Sequence, residues 1–195
     1  MAVMDPMKLK DLLWPDVYFY REQRDIIYSV EENTETVVVA SNQVGKDFVT
    51  AFIVLSYFLR HPVVRVVTTS VDDTQLKVVL WGEMTRFIQT ARSPLCHTKG
   101  GPLIINEKYI RKQVNGEVCG ISYIIGRVAA KGESMAGHHA PATLFVVDEA
   151  SGVGDDAFDQ ASTWSKRRLF IGNPNPTTNY FKRAVKAGDL AMIER

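Results

Sequence analysis

Lys46, Asp148 and Glu149 are the residues of this sequence whose types and settings point to chemistry. Lys46 closes the stretch Ala40-Ser41-Asn42-Gln43-Val44-Gly45-Lys46. A β-branched run, Thr36 to Val39, precedes that stretch, and apolar residues at helical spacing follow it from Phe48 to Leu59. Strand, short polar loop ending in Gly-Lys, and helix together form the context of a phosphate-binding loop. Backbone N–H groups of such a loop and of the helix start point at an anion, and the helix dipole adds to them. Lys46 supplies a point charge for the β- and γ-phosphates. The expected nucleotide contacts are Ser41, Asn42, Gln43, Val44, Gly45, Lys46, Asp47 and Phe48. Two positions depart from the Gly-x-x-x-x-Gly-Lys-Ser/Thr pattern. Ala40 stands at the first glycine, and Asp47 stands where a hydroxyl usually holds Mg2+.

Asp148 and Glu149 follow the apolar run Leu144 to Val147. Consecutive acids at the end of a buried strand are a poor way to build a core, because unpaired charge there is costly. They are a good way to build a site, since ligands of open α/β sheets bind at the carboxyl ends of the strands. In a Walker B reading, Asp148 holds Mg2+, directly or through water, and Glu149 polarises the attacking water.

The elements that must position these groups read as α/β. Val63 to Thr69 is a second near-continuous apolar strand, and a helix follows to about Thr90, with Asp72 or Asp73 as its cap. Alternation of strands and helices argues for a mostly parallel sheet. Short strands at Leu103–Ile105, Tyr109–Val114 and Val118–Ile125, with an Asn115-Gly116 turn, add an antiparallel extension. Arg111, Lys112, Arg127 and Lys131 make this part locally basic, although Arg111 and Lys112 also fit a solvated strand face. Upstream, residues 6 to 13 form a short helix stopped by Trp14-Pro15, and a second helix covers Tyr18 to Val30, ending in a polar turn at Glu31 to Asn33. Downstream, a strand at Arg168 to Ile171 ends in the loop Gly172-Asn173-Pro174-Asn175-Pro176, and Thr177 or Thr178 caps a last helix. That loop sets Asn173 beside the two acids, where its amide can sense a γ-phosphate. His138-His139 has no third ligand in view, so a metal reading there is not adopted.

Composition sets the outer limits. A chain of 195 residues supports one α/β domain. A hydrophobic fraction of 46% and a charged fraction of 23% are those of an ordinary globular protein. The net charge of +1 means that a nucleic-acid surface must be local. Two cysteines without metal spacing read as reduced thiols of a cytoplasmic protein. No apolar run is long enough to span a membrane, and no secretory signal opens the chain.

Four elements then stand in order: Tyr20-Arg21-Glu22-Gln23, Ser41 to Asp47, Leu144 to Val153, and Ile171 to Pro176. This order resembles the ATPase domain of the large terminase subunit of tailed bacteriophages, over about residues 15 to 185. Its most specific parts are Asp148-Glu149-Ala150-Ser151-Gly152-Val153, with Gly137-His138-His139-Ala140 before it, and the Gly-Asn-Pro loop. Thr69-Ser70 followed by Gln75 and Trp81 fits the same family. The resemblance implies the three-layer P-loop NTPase fold of the additional-strand class. It implies ATP and Mg2+ as cofactors. Gln23 reads adenine, Lys46 holds the phosphates and Glu149 is the catalytic glutamate; Tyr18 or Tyr20, by its own position before Gln23, is placed to stack on the base. Asp148, and less securely Asp47, serve Mg2+, and Gly172 to Pro176 couple nucleotide state to DNA movement. The implied partners are double-stranded DNA, the portal protein, the small terminase subunit and a homo-oligomeric ring of about five copies on the procapsid, from a chain monomeric in solution. The implied location is the cytoplasm of a bacterial host. Many terminases carry an arginine at the position of Asn42, so the cation for the transition state is expected from a neighbouring subunit, with Arg127 and Lys131 as candidates. The lid and nuclease domains of the family are not expected within these residues, which read as a single ATPase domain without nuclease activity. Two other readings stay open: a nucleotide-binding module that is weak or inactive in hydrolysis, favoured by Ala40, Asn42 and Asp47, and a fragment of a helicase-like translocase.

Overall fold

The computed structural model describes residues 3–41, 44–114, 117–129, 135–175, 178–187 and 190–193. The expectations for Asn42, Gln43, the Asn115-Gly116 turn, Lys131, Pro176 and Thr177 therefore fall outside the described residues.

Eight strands make one mixed, mostly parallel sheet among the described residues. They are β1 (Glu35–Ala40), β2 (Val64–Ser70), β3 (Leu103–Asn106), β4 (Tyr109–Val114), β5 (Glu117–Val128), β6 (Ala142–Val147), β7 (Arg167–Gly172) and β8 (Leu190–Ile193). Their spatial order is β3-β4-β5-β2-β6-β7-β1-β8. Only β3–β4 and β4–β5 are antiparallel, so the extension lies at one edge. β7 is inserted between β1, which leads into the Gly-Lys loop, and β6, which leads into Asp148. This insertion is the extra strand of the additional-strand class.

The helices are α1 (Pro6–Leu13), α2 (Arg21–Glu32), α3 (Lys46–Arg60), α4 (Trp81–Thr90), α5 (Asp155–Ser162) and α6 (Tyr180–Ala187). They cover both faces, which explains the unbroken apolar runs of the inner strands. Successive residues of β6 divide between the two cores: Leu144 and Val146 face one, Phe145 and Val147 the other. β1 and β7 do the same, with Val38, Leu169 and Ile171 on the first face and Val37 and Phe170 on the second. α3 is buried from Val49 to Phe58 and carries the centre of the first core. A helix apolar on all sides has to lie inside the protein.

Several expected boundaries move. The second helix begins at Arg21, not Tyr18, because Tyr20 has extended backbone and its N–H is taken by the Gln23 side chain. It runs on through Glu31, whose carboxylate pairs with Arg60. The helix after the loop begins at Lys46, two residues earlier than Phe48. Asp73 spends its carboxylate on Lys77 and Lys108, and a π-helical turn over Gln75–Leu80 leads into α4. At α6 the cap is Asn179, whose Oδ1 accepts from the Lys182 N–H at 3.3 Å. α5 and β8 are additions to the sequence reading.

Candidate functional site

The loop after β1 reaches its turn at Gly45, which holds φ +76°. A side chain there would also collide with Gln23, whose Nε2 lies 2.9 Å from the place of a Cβ. The left-handed backbone is what calls for glycine; the Gln23 amide, the end of a flexible side chain, would only have to shift to admit a Cβ. α3 starts at the next residue, so its first N–H groups have no partner within the helix. Ala40 ends β1 fully buried, where a glycine would leave a void. Val44 is buried beside it and Ser41 is exposed.

Lys46 is 5% exposed and forms an ion pair with the Glu149 carboxylate. The two residues lie 103 positions apart in the sequence, and the sheet order brings them together. Glu149 has φ 52°, the one positive φ at a non-glycine residue among those described. Left-handed backbone costs a glutamate roughly 1–3 kcal/mol, and such strain collects at functional sites. The other carboxylate oxygen of Glu149 accepts from Asn173 Nδ2 at 3.4 Å.

Asp148 is 1% exposed. Its Oδ1 accepts from the Glu149 N–H at 3.0 Å, and its Oδ2 is buried without a hydrogen-bond partner. Burial first, then the Asp47 carboxylate, push its acid up to about 7, against the pull of Lys46. Asp47 is raised by the same cause, burial, and its Oδ1 also lacks a partner. Two adjacent carboxylates with orphaned buried oxygens fit a divalent cation. Mg2+ suits this donor set, since it takes one or two protein carboxylates and completes its shell with water and phosphate. No cluster of three or more acidic, histidine or cysteine ligands occurs among the described residues.

Gly172 ends β7 against the strand-end loop after Glu149: a Cβ there would stand 3.0 Å from the Ala150 nitrogen. Pro174 and Asn175 are exposed. Asn179, which the sequence reading passed over, donates to the Ala150 and Val153 carbonyls at 2.8 and 2.7 Å. It thereby ties α6 to the loop carrying Glu149. An asparagine just before an apolar helical pattern was the available signal. Glu83 on α4 is a second omission. Its charge adds to the rise of Asp47, and its Oε2 pairs with Arg86 at 3.5 Å.

No protein-family model matches the chain, and no curated protein sequence is detectably similar to it. Solved structures are similar in shape. The large terminase of a thermophilic bacteriophage superposes with a TM-score of 0.67 at 13% identity, over 91% of this chain and 45% of that one. The large terminase ATPase domain of Thermus phage P74-26 gives a TM-score of 0.66 at 15% identity, over 90% of this chain and 72% of that one. The fold is that of a terminase ATPase domain. A further neighbour is a thermophilic-phage large terminase in complex with ADP, with a TM-score of 0.60 at 12% identity, over 90% of this chain and 45% of that one. The chain therefore spans less than half the length of those two terminase chains.

Within this terminase ATPase fold the remaining expected residues take clear places. Gln23 is 4% exposed, its Oε1 accepting from the Tyr20 N–H at 3.2 Å. Tyr18 and Tyr20 are exposed and meet edge to face at 5.6 Å. Arg127 lies at the end of β5, in register with Thr69 of β2, and its charge reaches Tyr123 and His138. His138 is buried and bonded to the Tyr123 hydroxyl, while His139 is exposed. Among the described residues no helix is long and apolar enough to cross a membrane.

Proposed function

We propose that this chain binds ATP with Mg2+ and hydrolyses it, as the motor domain of a phage terminase large subunit that drives double-stranded DNA into a procapsid. The observation that carries the reading is the orphaned Asp148 and Asp47 oxygens beside a Lys46–Glu149 pair at the end of the sheet. In the nucleotide complex, the loop and the first turn of α3 cradle the phosphates. Lys46 turns from Glu149 to the β- and γ-phosphates. Glu149 is then free to accept a proton from water. Asp148 and Asp47 hold Mg2+, which when bound neutralises charge on the phosphates. Asn173 follows the position of Glu149, and Asn179 passes that position to α6. Portal, small subunit and a ring of about five copies follow from the same terminase reading. So does a cation acting between subunits, from Arg127 or Lys131. Such a residue contributes about 10³–10⁵ in rate, so the isolated chain should turn over slowly.

Phosphate release against protein concentration, with nucleotide titrations in parallel, tests the proposal. Binding should need Mg2+, and turnover should rise more than linearly with concentration. Glu149→Gln should keep ATP binding while turnover falls about 10²–10⁴-fold. Absence of Mg2+-dependent nucleotide binding would overturn the reading. Turnover within a few fold of wild type in Glu149→Gln would move water activation to another residue.

A further inference from the structure

Ser70 closes β2 and is fully buried, yet its Oγ has no hydrogen-bond partner. Thr68, two residues earlier on the same strand, is treated differently. Its hydroxyl accepts from the Trp81 indole at 3.2 Å and donates to the Ile125 carbonyl at 3.4 Å. Buried hydroxyls are normally paired in this way, so the orphan at Ser70 needs a reason.

Its place in the sheet supplies one. Along β2, Val64 and Val66 belong to the core that α3 carries, and Val67 belongs to the opposite core. Side chains alternate along a strand, so Ser70 stands on the α3 side. The neighbouring strand is β6, with Val147 opposite Thr69, and the Asp148 N–H donates to the Thr69 carbonyl at 2.9 Å. Ser70 is therefore beside Asp148, where adjacent backbones run about 4.8 Å apart. Asp148 continues the row of Leu144 and Val146 on the same side, and it feels the charges of Lys46 and Asp47 at the start of α3. Asp148 Oδ2 and Asp47 Oδ1 share the condition of the Ser70 hydroxyl, buried and unpaired. The phosphate-loop position whose hydroxyl usually serves Mg2+ holds Asp47 in this chain. A carboxylate can only accept, and a water on a cation can only donate outward. A hydroxyl does both, so it can link the two.

We propose that Ser70 is a positioning residue of the cation site, supplying from β2 the hydroxyl that position 47 lacks and orienting the Asp148 carboxylate. The inference rests on the nucleotide-binding reading above. ATP titrations of wild type, Ser70→Ala and Ser70→Thr, each in Mg2+ and in EDTA, test it. Wild type should bind ATP more tightly in Mg2+. In Ser70→Ala that gain should shrink by about tenfold or more, the usual cost of losing an outer partner of a metal site, with affinity in EDTA unchanged. Ser70→Thr keeps the hydroxyl and should keep the gain to within about threefold. Without ligands, Ser70→Ala should melt no lower than wild type, because the hydroxyl it removes has no bond to lose. A gain in Ser70→Ala within about threefold of wild type would overturn the inference and leave the nucleotide site standing. So would an equal loss in Ser70→Thr, or a lower melting temperature in Ser70→Ala, since either would make the role one of packing. If wild type shows no Mg2+-dependent binding, the nucleotide reading fails and this inference fails with it.

Discussion

The two ends of β6 are built to opposite rules. At its amino end the buried polar side chains pair with one another and with backbone. The Thr143 hydroxyl donates to the Trp164 carbonyl at 3.1 Å and accepts from the Lys166 N–H at 2.8 Å. The Trp164 indole donates to the Met135 carbonyl, and the Tyr123 hydroxyl meets His138 Nδ1 at 2.7 Å. At the carboxyl end, Asp148 Oδ2, Asp47 Oδ1, Asn173 Oδ1, Thr69 Oγ1 and Ser70 Oγ are all buried without a hydrogen-bond partner. Buried polar atoms are normally paired, so a concentration of orphans in one place marks groups kept for a ligand. One end of the strand holds the fold together, and the other gives up stability for a site.

Lys46→Ala should sharpen that difference most. It removes a charge-assisted contact worth roughly 1.5–3 kcal/mol, so triphosphate affinity should fall by about one to two decades. Nucleotide titration measures the loss, and wild-type affinity would remove the phosphate-loop assignment. Thr143→Val should do the reverse. Stability should drop by about 1–3 kcal/mol, because two buried partners lose their bonds, with nucleotide affinity unchanged. Denaturant unfolding and the same titration separate the two effects.

The pH dependence of stability should also differ between the ends. Asp148 keeps its proton in the folded chain up to about 7, above its ordinary range. The folded state then binds more protons than the unfolded one, and stability without a divalent cation falls as pH rises from about 4 to about 7. The Asp148→Asn change should therefore compare more favourably with wild type at pH 8 than at pH 5. Equal differences in melting temperature at both values would show that no buried charge is being relieved. His138 has the opposite sign. Burial, and then Arg127 and Arg65, hold it down to about 4 from the usual 6.5. The unfolded chain protonates first, so its contribution is full above pH 6.5 and is lost as pH falls toward 4. His138→Gln should flatten the stability profile over that window, the smallest of these effects. A profile as steep as wild type would assign the acid sensitivity to another group.

Local pattern by itself determined much of the protein. β-branched runs, a Gly-Lys turn and a following apolar helix marked the loop at Lys46. Four apolar residues before Asp148-Glu149 marked a strand buried on both faces. These signals are legible because burial and backbone geometry act on neighbouring residues. Only tertiary structure decided the rest. The insertion of β7 between β1 and β6 sets Lys46 against Glu149, and nothing in either segment encodes that pairing. The same packing buries Gln23 and brings Glu83 near Asp47, whereas Asn173 meets Glu149 as the strand-end loop led one to expect. α5 and β8 are short, of eight and four residues, and the buried face of α5, Ala157, Phe158 and Ala161, spans only one turn. The proposed cation site is set at this level too. It comes from removing Asp148 and Asp47 from water while leaving their oxygens without partners, a property of the assembled sheet end and not of any one stretch of chain.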